Sequence, residues 1–381
     1  MEIPPIPRYG DSSLAELVPA LLAAVGTEGF ADAPRLGLEG ARSACLLLVD
    51  GLGDDLLAAH ADVAPTLASY RVGRLTAGFP STTATSVTSI GTGLPPGAHG
   101  MVGYRWQPSP GTGLLNALSW QLDGHPGSAL DVVVPEEVQP HATAFERAEA
   151  AGVSVHVVSS PAFRGSGLTR AALRGGCYIG APTWGTVVEA VATALRAPGF
   201  VYAYVGDLDT TGHTLGPGSA GWRAQLALVD RLVAILAESL PTDSVLAVTG
   251  DHGMVSVNPA DWVDLDGSAA FTAGVQLIGG EPRARYAYAR PGAAGDVFAA
   301  WRELLGERAW VLPVEQAVAD GWFGPRVPDR VRARIGDVVA AARGTSVLVR
   351  PELEPHITAM RGHHGSLTPA ELGVPLLQIR G

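Results

Sequence analysis

Lysine is absent from the 381-residue chain; all 26 basic residues are arginine. That absence removes the lysine of a Walker-type phosphate loop, the Schiff-base lysine of pyridoxal phosphate or aldol chemistry, and the lysine adenylate of ligases. Cysteine is nearly absent as well. Cys45 falls inside an apolar strand-like run and Cys177 in a glycine-rich turn, and two thiols are too few for a disulfide scaffold. Positive charge is the minority sign, 26 basic against 37 acidic side chains, for a formal net charge of -11. Binding to a nucleic-acid duplex depends on a basic surface, so the charge argues against that partner. Long hydrophobic runs are lacking too: Cys45 to Val49 is among the longest, against the roughly 20 residues of a bilayer crossing. The start, Met1-Glu2-Ile3-Pro4-Pro5-Ile6-Pro7, has no basic region leading into an apolar one. No secretory signal is expected, and the reading is of a cytoplasmic protein with no membrane partner.

What is present is a 47% hydrophobic chain, enough for one large α/β domain. Apolar strand-like runs at 44–49, 153–158, 201–205, 245–248 and 374–379 alternate with helix-length segments at 13–25, 83–90, 143–151, 186–196 and 222–239. That alternation predicts a mainly parallel sheet covered by helices on both faces. The stretch 105–137, rich in Gly, Pro and Trp, reads as a surface excursion. Short β-like pieces at 275–277 and 285–289 make 256–359 a small cap or insert within a single domain spanning 1–381.

The chemistry concentrates in four places: Val49-Asp50-Gly51, Phe79-Pro80-Ser81-Thr82-Thr83, the pair Asp209-Thr210-Thr211-Gly212-His213 and Gly250-Asp251-His252-Gly253, and Gly362-His363-His364-Gly365. In open α/β sheets ligands bind beyond the carboxyl ends of strands, which is where Asp50, Asp209 and Asp251 fall. A lone aspartate there is commonly a helix cap or an Asx turn. Three of them, two followed by a histidine one or four residues on, point instead to metal ligation by mixed oxygen and nitrogen donors. Asp209 and His213 have the spacing that puts two donors on one side of a helical turn. Asp251 and His252 sit in a sharp turn with glycine on either side. A hydroxyl nucleophile is available at Thr82, Thr83, Thr85 or Ser86, and either His363 or His364 could complete the ligand set.

These segments resemble the alkaline phosphatase superfamily, and within it the nucleotide pyrophosphatase/phosphodiesterase branch. The likeness extends through Thr92-Gly93-Leu94-Pro95-Pro96 and His99-Gly100, and the motifs keep the family's order from residue 50 to 365. The resemblance implies a three-layer α/β/α sandwich and two divalent metal ions, zinc foremost. It assigns Asp209, His213 and His364 to one ion and Asp50, Asp251 and His252 to the other. It makes Thr83, three residues after Pro80 and at a helix start, the nucleophile. It implies a small phosphorylated substrate such as a nucleotide, cleaved at a phosphodiester or pyrophosphate bond through a covalent threonine intermediate.

Where phosphodiesterases of this family carry an asparagine against a phosphate oxygen, this chain has Tyr104, a phenol expected to donate the same kind of bond. Arg105 and Arg164 are the candidates for the arginine that monoesterases of the superfamily place against phosphate. The relatives left open are a phosphomonoesterase or a phosphonate hydrolase; a sulfatase would need a Cys-x-Pro-x-Arg segment, which is missing. From other classes, a serine esterase would need Gly-x-Ser-x-Gly, also missing, and a noncatalytic binding protein would have lost a ligand or the nucleophile. Specificity is expected to reside in 105–137 and in the cap.

Overall fold

The strand Ser43–Val49 is buried along its whole length because it feeds two cores at once. Ala44, Leu46 and Leu48 pack into one apolar cluster, Cys45, Leu47 and Val49 into another. A strand with both faces covered needs no polar alternation, which is why the sequence shows an unbroken apolar run there. In this computed structural model, residues 3–34, 37 and 40–381 are described, so Met1 and Glu2 of the N-terminal stretch lie outside the described residues.

Seven strands form the central sheet in the order Arg71–Thr76, Gly373–Arg380, Ser244–Thr249, Ser43–Val49, Gly199–Val205, Ser154–Ser159, Cys177–Gly180. Ser43–Val49 pairs in parallel with both Gly199–Val205 and Ser244–Thr249, so the three strands leading to Asp50, Asp209 and Asp251 are adjacent and point the same way. Leu14–Ala24, Thr83–Thr92 and Ala144–Ala150 contribute to the core on one face, Trp184–Ala194 and Ala220–Glu238 to that on the other. The architecture is the expected three-layer α/β/α sandwich with a mainly parallel sheet.

Four sequence expectations change in detail. The strand anticipated at 374–379 runs antiparallel to both of its neighbours, an orientation that a local apolar pattern does not encode. Arg71–Thr76 and Cys177–Gly180 are additional edge strands, exposed or half-covered and so without a continuous apolar signal. The helix anticipated at 186–196 begins two residues earlier, at Trp184, because Thr183 and Thr186 form a reciprocal cap. The stretch 105–137 is less superficial than its composition suggests. It folds into a small sheet of Arg105–Trp106, Leu115–Asn116 and Gln121–Leu122, and buries Trp106, Leu115 and Trp120 in a third core.

That third core is shared with a four-stranded antiparallel sheet in the order Val275–Glu281, Ala284–Ala289, Val338–Ala342, Ala309–Pro313. Its other face is covered by the helix Ala294–Leu305, with Trp301 fully buried.

Candidate active site

Asp50 directly follows its strand, Asp251 comes two residues after Thr249 ends its own, and Asp209 lies in the first turn of the helix Asp207–Leu215 that follows Gly199–Val205. On that helix His213 is one turn on, its Nε2 3.4 Å from Asp209 Oδ2. Asp251 and His252 occupy a tight crossing between backbones. A Cβ on Gly250 would meet the Leu52 carbonyl oxygen at 2.2 Å and one on Gly253 the Ala370 oxygen at 1.9 Å. These two glycines therefore allow close backbone approach and are not in a left-handed conformation.

The six ligand candidates fall into two groups, Asp209 with His213 and His364, and Asp50 with Asp251 and His252. His364 Nε2 lies 3.2 Å from His213 Nε2 and 3.9 Å from Asp209 Oδ1. His252 Nε2 lies 3.4 Å from Asp50 Oδ1 and 3.5 Å from Asp251 Oδ2. The rings of His252 and His364 stack with centroids 3.5 Å apart, so the two groups adjoin. His363 belongs to neither group; its backbone pairs with Val255 in a short antiparallel ladder, and burial pushes its imidazole down to about 3.

Two observations test whether this donor set fits a cation. Each imidazole turns Nδ1 toward a backbone carbonyl: His213 to Gly362 at 2.7 Å, His252 to Gly253 at 3.0 Å and His364 to Ser81 at 2.9 Å. A carbonyl only accepts, so Nδ1 carries the hydrogen and Nε2 offers its lone pair inward. The carboxylate oxygens Asp50 Oδ1, Asp209 Oδ1 and Asp251 Oδ2 are buried with no hydrogen-bond partner. Without a cation, burial and then the charges of Asp251 and Asp209 hold the Asp50 carboxyl well above its ordinary range, and burial raises Asp209. Burial and the neighbouring imidazoles of His252 and His213 hold His364 well below its ordinary value. Imidazoles with Nε2 turned inward beside unpartnered carboxylates are a donor set that divalent metal ions complete.

The hydroxyl candidates separate geometrically. Thr83 is the first residue of the helix Thr83–Thr92, and its Oγ1 lies 3.3 Å from His252 Nε2 and 3.5 Å from Asp50 Oδ2. Thr82 is the helix N-cap, with no side-chain capping bond. Thr85 and Ser86 are fully buried one turn into the helix. Thr83 also lines a cavity of about 620 Å³ together with Asp50 and Asp209. Aromatic side chains of Phe163, Tyr178, Trp184 and Tyr204 contribute to its walls.

Most of this cavity's wall comes from 159–187 and 202–211; the 105–137 stretch supplies only Leu118, and no residue of 256–359 is among those lining it. The loops that follow strands of the parallel sheet converge here, whereas the second sheet shares an apolar core with Phe79, Ala84 and Leu367. Tyr104 is not among the lining residues. Its hydroxyl accepts from Asn116 Nδ2 at 2.8 Å, and a Cβ on Gly103 before it would meet Pro80 at 3.3 Å. Arg105 is bound to Asp123 at 2.7 Å and to Glu354 at 3.3 Å. The guanidinium of Arg164 lies over the Tyr178 ring, 4.8 Å from its centroid.

Two residues at the site carry no signal in sequence. The Tyr204 hydroxyl donates to Asp50 Oδ2, and the residue sits on the last turn of pleat before the strand ends. Glu281, at the end of a strand in the second sheet, is 7% exposed with Oε1 unpartnered, and burial pushes its carboxyl up to about 8. Both act across long sequence separations, so no local pattern marks them.

Comparison with known proteins gives the family and the fold. The model of the family described as type I phosphodiesterase / nucleotide pyrophosphatase matches residues 44–367. Ectonucleotide pyrophosphatase/phosphodiesterase family member 7 of Rattus norvegicus is 43% identical over 63 residues, 15% of this chain and 14% of the rat protein. The chain thus matches only a small part of that relative's length. Murine ectonucleotide pyrophosphatase/phosphodiesterase 5 has a similar fold, with TM-score 0.68, 16% identity and coverage of 89% of this chain and 88% of that one. An inactive Thr-to-Ala variant of the murine protein, in complex with AMP, gives TM-score 0.69 at 16% identity, covering 88% and 87%. Phosphonoacetate hydrolase from Sinorhizobium meliloti 1021, in complex with phosphonoformate, gives TM-score 0.68 at 20% identity, covering 90% and 91%. With an alkaline phosphatase-like fold and a family match over most of its length, the chain belongs to the type I phosphodiesterase / nucleotide pyrophosphatase family of hydrolases.

Proposed function

We propose that the protein hydrolyses small phosphodiesters, nucleotide-derived ones included, through a covalent intermediate on Thr83, with two divalent ions, zinc foremost, held by Asp209, His213 and His364 and by Asp50, Asp251 and His252. The observation that carries this reading is the position of the Thr83 hydroxyl, at a helix start, within 3.5 Å of two ligand candidates and on the wall of the cavity. Bound ions would acidify the attacking hydroxyl and offset charge that develops on the phosphoryl and leaving oxygens. Thr83 Oγ1 loses its proton and forms a bond to phosphorus as the bond to the leaving oxygen breaks in line; that oxygen departs with a proton. Water then attacks phosphorus from the side the leaving group vacated, and a proton of that water passes to Thr83 Oγ1 as the threonine ester bond breaks. The N-terminus of the Thr83–Thr92 helix turns free N–H groups toward an incoming anion.

Preference for a diester rests on the cavity. Its volume falls in the range of small-molecule sites, and its aromatic walls suit an organic second substituent. No arginine is among its described lining residues, so the extra charge of a monoester dianion, or the carboxylate of a phosphonoacetate, finds no basic partner there. Assay of paired aryl phosphate diesters and monoesters tests the reading, with the diester favoured at least about tenfold in kcat/KM, or ~1.4 kcal/mol of transition-state binding. Equal or better cleavage of the monoester overturns it in favour of a phosphatase.

A further inference from the structure

The segment 79–83 and the loop 362–368 are laced together. Ser81 N donates to the Gly365 oxygen at 3.1 Å, Ser81 Oγ to the Ser366 oxygen at 2.7 Å, and His364 Nδ1 to the Ser81 oxygen at 2.9 Å. The turn joining Val275–Glu281 to Ala284–Ala289 meets that loop through Glu281 at Gly365 and through Arg283 at Glu371. Arg283 is fully buried and paired with Glu371 at 2.6 Å, and the same Glu371 carboxylate accepts from Ser366 N at 3.0 Å and from the Thr368 hydroxyl at 2.5 Å. That ion pair is complete on both sides and explains how the loop is anchored. Glu281, two residues away, is not explained by anchoring. Its Oε1 is buried without a partner, although a buried carboxyl left unsatisfied costs stability.

The location of Glu281 gives it a use. Gly365, with φ 130°, has no room for a side chain, because a Cβ there would meet Glu281 Cδ at 2.9 Å and Cγ at 3.0 Å. The Thr82 side chain lies beside the Glu281 carboxyl. The carboxyl thus touches the residue before Thr83 and the residue after His364. Thr82 makes no capping bond into its own helix, which leaves its hydroxyl available to this carboxyl.

We propose, resting on Thr83 as the nucleophile, that Glu281 is a positioning residue: by bearing on both Thr82 and the Gly365 backbone, it fixes the Thr83 hydroxyl relative to the imidazole of His364. A misplacement of about 1 Å at a reacting group costs on the order of 100-fold in rate, so a single orienting contact here has leverage on turnover. The second sheet then serves as a rear support of the nucleophile, with its Glu281 end set into the site.

The test compares Glu281→Leu, Glu281→Gln, Thr82→Val and the double variant Glu281→Leu/Thr82→Val. On the best aryl ester of the wild type, Glu281→Leu lowers kcat by about 10- to 100-fold, leaves KM within about twofold and keeps the wild-type zinc content. Glu281→Gln retains an oxygen for the Thr82 hydroxyl and recovers most of the rate. Thr82→Val loses as much as Glu281→Leu, and the double variant loses no more than either. The dissociation constant of orthovanadate, read by tryptophan fluorescence, rises with the loss in Glu281→Leu and not in Glu281→Gln. This binding measurement reads site geometry whichever ester is cleaved, which separates it from a failure of the diester reading. Wild-type kcat in Glu281→Leu or in Thr82→Val overturns the proposal, as do equal losses in the Gln and Leu variants or loss of zinc. If the Leu variant does not fold, Thr82→Val and Glu281→Gln decide the matter.

Discussion

The Nε2 atoms of His213 and His364 face each other at 3.2 Å, while the Nδ1 hydrogen of each ring is taken by a backbone carbonyl. Two lone pairs at that distance repel unless a cation lies between them and the unpartnered oxygen of Asp209. Protein purified without chelator is expected to carry close to two zinc equivalents, and exhaustive chelation to abolish hydrolysis. Full activity in metal-free protein, measured alongside elemental analysis, rules out the two-metal site.

The neighbouring histidines are separated by the same geometry. His364→Ala removes an inward lone pair and is expected to lose one metal equivalent. His363→Ala removes a ring whose backbone, not its side chain, is pinned at Val255, and both equivalents should remain. Tyr204→Phe deletes the hydroxyl that donates to Asp50 and should weaken metal affinity by about 10- to 100-fold, the usual effect of removing a group that orients a ligand. Competition with a zinc indicator reads all three, and loss of metal in His363→Ala but not His364→Ala would reverse the assignment.

Thr83 is tested by separating metal binding from turnover. Thr83→Ala is expected to keep both metals and lose several orders of magnitude in kcat, Thr83→Ser to retain part of the rate because a hydroxyl remains, and Thr82→Ala to be much milder than Thr83→Ala. Near wild-type turnover in Thr83→Ala excludes a covalent step at this residue.

The legible part of the molecule was the part written locally. Asp50, Asp251 and the pair Asp209 and His213 announce themselves because each follows a doubly buried strand whose apolar run is continuous. Arg71–Thr76 hides because an edge strand needs little burial, and the antiparallel course of Gly373–Arg380 hides because orientation comes from tertiary pairing. Trp106 and Trp120 mislead in a glycine- and proline-rich stretch whose aromatic side chains turn inward onto the second sheet. Glu281 and Tyr204 meet the site only through long-range contacts.

Metal-free protein should lose stability between pH 6.5 and 8. Glu281, at about 8 against an ordinary 4.5, and the raised Asp50 and Asp209 keep protons when folded that the unfolded chain has already released. Stability therefore falls as pH rises through that window. The lowered His364 and His363 act in the opposite sense, but their contribution is complete above the ordinary histidine value of 6.5. Glu281 alone accounts for up to about 2 kcal/mol over 1.5 pH units, at ~1.4 kcal/mol per unit. Thermal melts of chelated protein should show the decline, reduced in Glu281→Gln. A flat or rising profile contradicts it.

The cavity wall offers the last discriminating substitution. Trp184 is partly buried beside Tyr178, Phe163 and Tyr204 among the lining residues, and its Nε1 donates to Asp207 Oδ2 at 2.9 Å, which fixes the indole plane. A fixed aromatic face adds favourable contact to a second substituent at little entropic cost and does nothing for the phosphoryl group itself. Trp184→Ala is therefore expected to lower kcat/KM for an aryl diester by about tenfold, or ~1.4 kcal/mol, chiefly through KM. The aryl monoester has no second substituent. With its single aryl group positioned as leaving group, its kcat/KM should change by less than about threefold, and metal content should stay at wild type. Equal losses on both substrates would place the indole against the leaving group that they share, and the cavity would then receive that group instead of the second substituent.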